Sequence, residues 1–282
     1  MPHAVPLEEA RRLFAEELRV VAHLQREEIV RAFSAVPRER FVGPGPWRLL
    51  NAIDGYWTTP DDDPRWLCHN VLVALDESRG LNTGEPSLWA YHFDRIGVRA
   101  GDRVLQIGTG SGYFTAILAE IVGIDGSVLG FEVDGALAEA ANRNVSPWPQ
   151  ATIRKVDGVV SPDGRCDVVI AFAGVSAPPL DWLDALADGG RALIPLTTEQ
   201  RFGLLLRIDR NAMGFAARSA GNIGIFHCAG ARQPAEAEAL GRALSDHAGR
   251  AALKSLRRDR HQPDETCWLH GDGWCLSKRT LQ

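Results

Sequence analysis

The stretch VLQIGTGSGYFTAILAE, residues 104–120, constrains the fold of this chain more than any other part of the sequence. Gly108, Gly110 and Gly112 stand two residues apart, after an apolar run and before a pattern typical of a helix. Glycines permit a tight turn and let a ligand approach the backbone. The first amides of the following helix favour an anionic group. The stretch therefore predicts a strand, a ligand-binding loop and a helix in succession.

The spacing of these glycines separates two classes of ligand. Dinucleotide-binding enzymes prefer G-x-G-x-x-G, but Tyr113 stands where their third glycine would be. The G-x-G-x-G form present here is similar to that of class I S-adenosylmethionine (SAM) methyltransferases. The cofactor-binding residues predicted in and before this loop are Gln106, Gly108, Thr109, Gly110, Ser111 and Gly112.

Two further features follow the loop in the order that a SAM site requires. Glu132 ends the next predicted strand, 20 residues after Gly112, and an acid at this spacing can accept both ribose hydroxyls. Asp157 and Gly158 follow the third strand, where the Asp can accept a hydrogen bond from the adenine amino group and the glycine admits the ring. For Glu132, the alternative is an exposed acid at a strand end, and Asp134 is a nearby competitor for the same role. For Asp157-Gly158, the alternative is an ordinary Asp-Gly turn. Together with the loop, these residues predict a SAM site.

Strand and helix patterns alternate from about residue 86, which predicts a parallel sheet covered by helices. We expect one helix over residues 7–35, a loop over 54–66 and a helix over 178–190. Strands within residues 202–228 are expected to form a hairpin at one end of the sheet. Residues 235–260 are predicted helical, before a final hairpin around Gly271-Asp272-Gly273. The predicted divisions are an N-terminal helical cap and substrate-side segment, a SAM-binding core and a C-terminal extension, over residues 1–85, 86–234 and 235–282.

The composition excludes several classes of function. The net charge of −5 gives no overall attraction to nucleic acid or anionic lipid. The sequence contains no run of about 18 apolar residues, so we expect no membrane span. The charged N-terminus lacks the apolar core of a signal peptide. Five scattered cysteines fit a reducing compartment, and we therefore expect a cytoplasmic protein.

The chain resembles the protein-L-isoaspartate O-methyltransferases over residues 30–210. FSAVPRERFVGP, residues 33–44, resembles the N-terminal signature of that family, and residues 102–123 are very similar to its cofactor motif, including Tyr113. FEVDGALAEAANRN, VDG and GGRALIPL follow in the order found in the family.

The resemblance implies a Rossmann-like, doubly wound class I methyltransferase fold with an N-terminal helical cap and a C-terminal extension. It also implies methyl transfer from SAM to the α-carboxylate of an isoaspartyl or D-aspartyl residue, followed by closure of the ester to a succinimide. The implied partner is a peptide or protein that carries such a carboxylate.

Some positions depart from the family pattern. The family has a serine, alanine and proline segment over the cofactor and the substrate carboxylate. Aligned on Pro86 and Ala90, LNTGEPSLWA places Gly84 where that serine would be. The nearby hydroxyls of Thr83 and Ser87 are the candidates to substitute for it, so Thr83, Gly84 and Ser87 are the predicted catalytic residues. Gln106 replaces an acid usual in the first strand motif, and Asn70 stands where an acid is common.

Near the C-terminus, His261, Cys267, His270 and Cys275 lie close together in the sequence. A zinc site is the alternative to an ordinary C-terminal tail, but the residues contain no C-x-x-C pair and do not have the spacing of a common zinc finger. The sequence therefore predicts no metal site.

These observations predict a SAM-dependent O-methyltransferase that acts on an isoaspartyl-type carboxylate. Three alternatives stay open: a methyltransferase for another carboxylate or hydroxyl, on a small molecule or modified peptide; an NAD-dependent oxidoreductase, which Tyr113 disfavours; and a SAM-binding inactive module, for which Gly84 and Gln106 are the motivation.

Overall fold

The computed structural model describes residues 5–51, 53–156 and 159–281. The helices are α1 Leu7–Val21, α2 Glu27–Ala35, α3 Pro86–Ile96, α4 Tyr113–Val122, α5 Gly135–Asn144, α6 Leu180–Asp184, α7 Pro234–Leu244 and α8 His247–Ala251. The strands of the first half are β1 Arg48–Asn51, β2 Gly55–Thr58, β3 Leu72–Asp76, β4 Leu81–Asn82, β5 Arg103–Ile107, β6 Ser127–Glu132 and β7 Ala151–Lys155. Those of the second half are β8 Cys166–Ala171, β9 Leu186–Thr197, β10 Phe202–Asn211, β11 Gly214–Gly224, β12 Ser255–Arg257, β13 Cys267–Gly271 and β14 Trp274–Ser277.

The chain divides into two compact units that alternate along the sequence. The first comprises residues 1–101, 109–128 and 134–153, and the second comprises residues 102–108, 129–133 and 154–282. The division predicted from sequence into 1–85, 86–234 and 235–282 stays a prediction.

In the first unit, the segment predicted as one helix over residues 7–35 forms two helices. The prediction was wrong for the residues that separate them. α1 ends at Val21 and α2 begins at Glu27. His23 between them has a left-handed φ of 49°, and the backbone N–H of Gln25 donates to Asp94 Oδ2 at 3.0 Å. A contact distant in sequence therefore holds the break, which explains why helical periodicity alone did not show it.

The first unit also contains a small antiparallel sheet in the order β2-β1-β3-β4, within the residues that the sequence assigned to a helical cap and substrate-side segment. Residues 54–66, predicted as loop, include strand β2, whose Thr58 lies opposite Arg48 of β1. Asp54-Gly55, at the start of β2, is the local hairpin signal for this strand.

The second unit contains most of a ten-stranded sheet in the order β13-β14-β12-β11-β10-β9-β8-β5-β6-β7. β5 and β8 are parallel neighbours, as are β8 and β9. From β5 the chain continues to β6 and β7 on one side and to β8 and β9 on the other, so the strand order reverses between β5 and β8. In open α/β sheets a ligand binds at the carboxyl ends of the strands beside such a reversal.

Three predictions for the second half of the chain need correction. The helix predicted over residues 178–190 is only α6, because β9 begins at Leu186 and pairs with Cys166 of β8. The β10–β11 hairpin forms as predicted, but it lies inside the sheet, since β12, β14 and β13 follow it. Residues 255–257, within the segment predicted as helical, form β12 between β11 and β14. The final hairpin, β13–β14, forms where the sequence placed it.

The core of the second unit is apolar from β5 to β14. Leu105, Val169, Ile194, Leu206 and Leu276 come from five strands and are each fully buried. Burial of each such side chain contributes about 1.5–3 kcal/mol. Because these side chains belong to one apolar cluster, the C-terminal strands share one core with the parallel strands. Across the described residues, no helix is both long enough and apolar enough to cross a membrane.

Candidate functional site

The beginning of the glycine loop belongs to the second unit, where β5 ends beside β8. Gln106 is fully buried and lies opposite Ile170 of β8. The backbone N–H of Gly108 donates to the carbonyl of Phe131 at 2.8 Å. These contacts hold the first glycine at the carboxyl end of β5, next to the reversal of strand order.

The rest of the loop belongs to the first unit and forms a tight turn. The N–H of Gly112 donates to the carbonyl of Thr109 at 2.9 Å, and Asn144 Nδ2 donates to the carbonyl of Ser111 at 3.0 Å. Thr109 is buried, and its Oγ1 has no hydrogen-bond partner among the described residues. A buried hydroxyl without a partner costs about 1–3 kcal/mol, so its position suits a polar ligand group.

The glycines of the loop face different surroundings. Gly112 has a φ of +89°, and a Cβ there would lie 3.1 Å from Val145 Cγ1 and 3.3 Å from the carbonyl oxygen of Ala141. This glycine therefore permits close packing of α4 against α5. At Gly110, a Cβ would meet nothing within 4 Å. Gly110 therefore has open space beside its backbone, as a ligand-facing residue requires.

The structure distinguishes Glu132, the last residue of β6, from Asp134, which follows the strand. Asp134 Oδ1 accepts from the N–H of Leu137 at 3.0 Å, and its Oδ2 accepts from Arg79 at 2.7 Å. The hydrogen bond from the backbone of Leu137 lowers the pKa of Asp134 most, and the hydrogen bond from Arg79 lowers it further. Asp134 therefore caps α5.

Glu132, by contrast, is a buried acid at the end of β6, in the second unit. Its backbone carbonyl accepts from the N–H of Val156 at 2.9 Å. Burial, and to a smaller extent the Glu132 carboxylate, raises the pKa of Cys228 to about 11. Cys228, which the sequence did not point to, is thus part of the surroundings of this acid. Asp157 and Gly158, predicted at the adenine, lie outside the described residues.

The three predicted catalytic residues lie in the first unit, and two of their side chains are already engaged. Thr83 is buried, and its Oγ1 accepts from Arg38 Nη2 at 3.1 Å and from the N–H of Val73 at 3.2 Å. Ser87 Oγ donates to Glu85 Oε1 at 2.8 Å. Asn70 accepts from the N–H of Ser87 and donates to its hydroxyl, both at 2.9 Å. Asn70 therefore holds the first turn of α3, and the catalytic roles of Thr83, Gly84 and Ser87 stay predictions.

Arg38, in the N-terminal signature, is the residue that the sequence analysis missed. Its guanidinium is buried and donates to the carbonyls of Leu67, His69 and Val71 as well as to Thr83. Burial lowers its pKa, but an arginine remains protonated in proteins. Arg38 thus ties the segment before β3 to the segment that carries Gly84. Its place in a short motif was the only signal available in the sequence.

Gly84 cannot be exchanged for serine without strain. Gly84 has a φ of +77°, and a Cβ would lie 3.1 Å from Phe114 Cε2 and 3.2 Å from Trp89 Nε1. We expect Gly84→Ser to lower the stability by about 2 kcal/mol, because a left-handed φ costs a side chain about 1–2 kcal/mol and the two rings must also move. Thermal unfolding should show a fall in Tm of roughly 4–8 °C, and methyl transfer should not increase.

Gly97→Ser is the matched control for this variant. Gly97 has a φ of +75°, and a Cβ there would meet nothing within 4 Å. It should therefore show only the cost of the backbone conformation, with a smaller fall in Tm. Equal Tm values for the two variants, or a gain of activity in Gly84→Ser, would contradict the crowding of Gly84 by Phe114 and Trp89.

Comparison with known proteins gives a consistent result. Residues 71–223 match the family model described as protein-L-isoaspartate(D-aspartate) O-methyltransferase. The protein-L-isoaspartate O-methyltransferase of Ignicoccus hospitalis is 30% identical over 216 residues, which are 75% of this chain and 93% of that protein. The residues matched by the family model include the glycine loop, Glu132 and the segment with Gly84.

Two solved structures have a similar fold. A protein-L-isoaspartate O-methyltransferase superimposes with a TM-score of 0.64 at 23% identity, covering 87% of this chain and 72% of that one. A Plasmodium falciparum structure that contains S-adenosyl-L-homocysteine has a TM-score of 0.60 at 17% identity, covering 78% of this chain and 98% of that one. The chain therefore has the Rossmann-like α/β fold of class I SAM-dependent methyltransferases.

Proposed function

We propose, because this chain belongs to the protein-L-isoaspartate O-methyltransferase family, that it transfers a methyl group from SAM to the carboxylate of an isoaspartyl-type residue in a peptide or protein. The match of residues 71–223 to the family model carries this proposal. We further propose that the protein works in the cytoplasm.

The residues present fit the cofactor. We propose that Gln106, Gly108, Thr109, Gly110, Ser111, Gly112, Glu132, Asp157 and Gly158 bind it. The buried Thr109 Oγ1, which has no hydrogen-bond partner in the described part of the chain, and the open space beside Gly110 support this assignment. SAM supplies an electrophilic methyl group on a sulfonium. The buried Glu132 carboxylate is the proposed acceptor for the two ribose hydroxyls.

The protein has little proton chemistry to perform. A carboxylate acceptor is already ionised at pH 7, so it needs no strong base to activate it. The chain then has to align the carboxylate oxygen with the methyl group and exclude water. Such alignment can lower the activation free energy by several kcal/mol. We propose that the segment with Thr83, Gly84 and Ser87, held by Arg38 and Asn70, provides this alignment.

Methyl transfer to an isoaspartyl peptide and to its normal aspartyl twin tests the proposal. We expect SAM-dependent ester formation, measured as methanol released by base, from the isoaspartyl peptide alone. SAM binding measured by calorimetry on the same preparation is the control for cofactor binding. Ester formation on neither peptide by a chain that binds SAM would contradict the isoaspartyl acceptor and favour another carboxylate or hydroxyl.

A further inference from the structure

Four potential metal ligands come together in the C-terminal part of the second unit. His261 lies between β12 and β13, Cys267 and His270 lie on β13, and Cys275 lies on β14. One donor atom from each, nitrogen or sulfur, lies within 4.8 Å of all the others. Cys275 is fully buried and the other three are half-buried. This set, the His2Cys2 cluster, is remote in the sequence from the proposed SAM residues.

A bulge in β13 brings its two ligands to one side of the strand. Successive side chains of a strand point to opposite faces, so residues three apart would normally face opposite ways. In the β13–β14 ladder, Cys267 lies opposite Ser277 and Leu269 lies opposite Leu276, which leaves one extra residue in β13. Such a bulge redirects side chains. Because His270 lies directly opposite Cys275, the bulge brings Cys267 to the face that these two share.

Two nitrogen–sulfur distances within the cluster are close to those of tetrahedral zinc coordination. His261 Nε2 lies 3.4 Å from Cys267 Sγ, and His270 Nδ1 lies 3.8 Å from the same sulfur. With Zn–S bonds of about 2.3 Å and Zn–N bonds of about 2.0–2.1 Å, a tetrahedron places nitrogen and sulfur about 3.5 Å apart. The two imidazole rings are nearly perpendicular, with centroids 4.8 Å apart.

His261 is oriented as a metal-binding histidine is. Its Nδ1 lies 2.9 Å from the backbone carbonyl oxygen of Asp259, which can only accept a hydrogen bond. Donation from Nδ1 to this carbonyl leaves the lone pair on Nε2, the nitrogen that faces Cys267. Metal-bound histidines commonly have their other ring nitrogen held in this way.

A backbone amide and a carboxylate of Asp264 lie next to the sulfur of Cys267, and Asp264 Oδ1, 3.6 Å from Sγ, accepts from the thiol. The N–H of Asp264 points to Cys267 Sγ at 3.4 Å, and such an amide stabilises negative charge on sulfur. Arg257 lies opposite Cys275 in the ladder, but it pairs with Asp259 at 2.6 Å and with Asp264 at 3.5 Å. These carboxylates offset its positive charge next to a metal.

We propose that His261, Cys267, His270 and Cys275 bind one zinc ion that stabilises the C-terminal strands. Two thiolates and two imidazoles neutralise Zn²⁺ and complete its coordination, so the ion has a structural role and no open position for substrate. Binding converts each thiol into a thiolate and releases its proton to solvent. The sequence predicted no metal site because it contains no C-x-x-C pair. The bulge in β13 instead brings Cys267 and His270, three residues apart, to one face of the strand.

Metal analysis and cobalt titration of the reduced full-length chain test this site. We expect one zinc ion per chain, with a Kd of about 50 nM or tighter, as in structural zinc sites. Co²⁺ should give the visible absorption of a tetrahedral site and a thiolate-to-cobalt charge-transfer band. Cys267→Ala and His261→Ala should weaken zinc binding at least about 100-fold. Cys68→Ala, which removes a cysteine outside the cluster, should bind zinc as the parent chain does.

The titration of the parent chain keeps the test decisive if the variants fail to fold. A reduced, folded chain that contains no zinc and gives no thiolate-to-cobalt band would overturn the proposal, and so would full zinc retention in Cys267→Ala. A Cys267–Cys275 disulfide without zinc uptake after reduction would do the same.

Discussion

Replacement of Glu132 by alanine should weaken SAM binding by about 100-fold or more and leave the chain folded. The carboxylate is the proposed acceptor for both ribose hydroxyls, and each hydrogen bond to a charged group contributes about 1.5–3 kcal/mol. The loss of two such bonds exceeds the roughly 2.7 kcal/mol that corresponds to a 100-fold change in Kd. Titration calorimetry with SAM measures the effect, and circular dichroism checks the fold.

Asp134→Asn is the matched control, because it removes an acid two residues away. An asparagine can keep the cap on the N–H of Leu137, so α5 should remain intact. Its SAM affinity should equal that of the parent chain. If Glu132→Ala bound SAM unchanged, or if Asp134→Asn bound it as weakly, Glu132 would not be the ribose-binding acid.

Replacement of Arg38 by methionine should lower the stability by about 3–5 kcal/mol, in the range found when a buried charged network is broken. Methionine fills similar space but leaves the carbonyls of Leu67, His69 and Val71 without their donor. The Tm should fall by roughly 10 °C. Methyl transfer should fall as well, since Thr83 beside Gly84 loses the bond from Arg38.

Arg40→Met is the comparison for this variant, because it makes the same change of charge in the same short turn. Arg40 is exposed, and it donates to the carbonyl of Asn144 at 2.6 Å. Because the contact is exposed to solvent, its loss should cost no more than about 1 kcal/mol. Equal Tm values for the two variants would show that the buried position of Arg38 is without special importance.

The glycine loop and its flanking elements could be predicted because their signals are local. Apolar periodicity placed β5 and α4, and the spacing from the loop placed Glu132 at the end of β6. The final hairpin was evident from its Asp-Gly turn. In each case, a few neighbouring residues contain the information that decides the structure.

Elements that depend on distant partners could not be placed in the same way. β12 has three residues and exists because β11 and β14 pair with it on either side. α6 is short because β8 pairs with residues that local propensity assigned to the helix. Short segments contain too little periodicity to decide their own structure, so the sheet decided it.

The candidate site divides along the same line. Residue type and order along the chain were enough to propose the SAM residues, because glycines and an acid at set distances follow one strand–loop–helix unit. Only the folded chain revealed Arg38 among backbone carbonyls, the crowding around Gly84 and the His2Cys2 cluster. These depend on contacts such as that of Arg38 with His69, 31 positions away, and on a bulge that changes which face of β13 Cys267 occupies. Local sequence determines which elements form, whereas pairing and burial between distant segments determine which side chains meet.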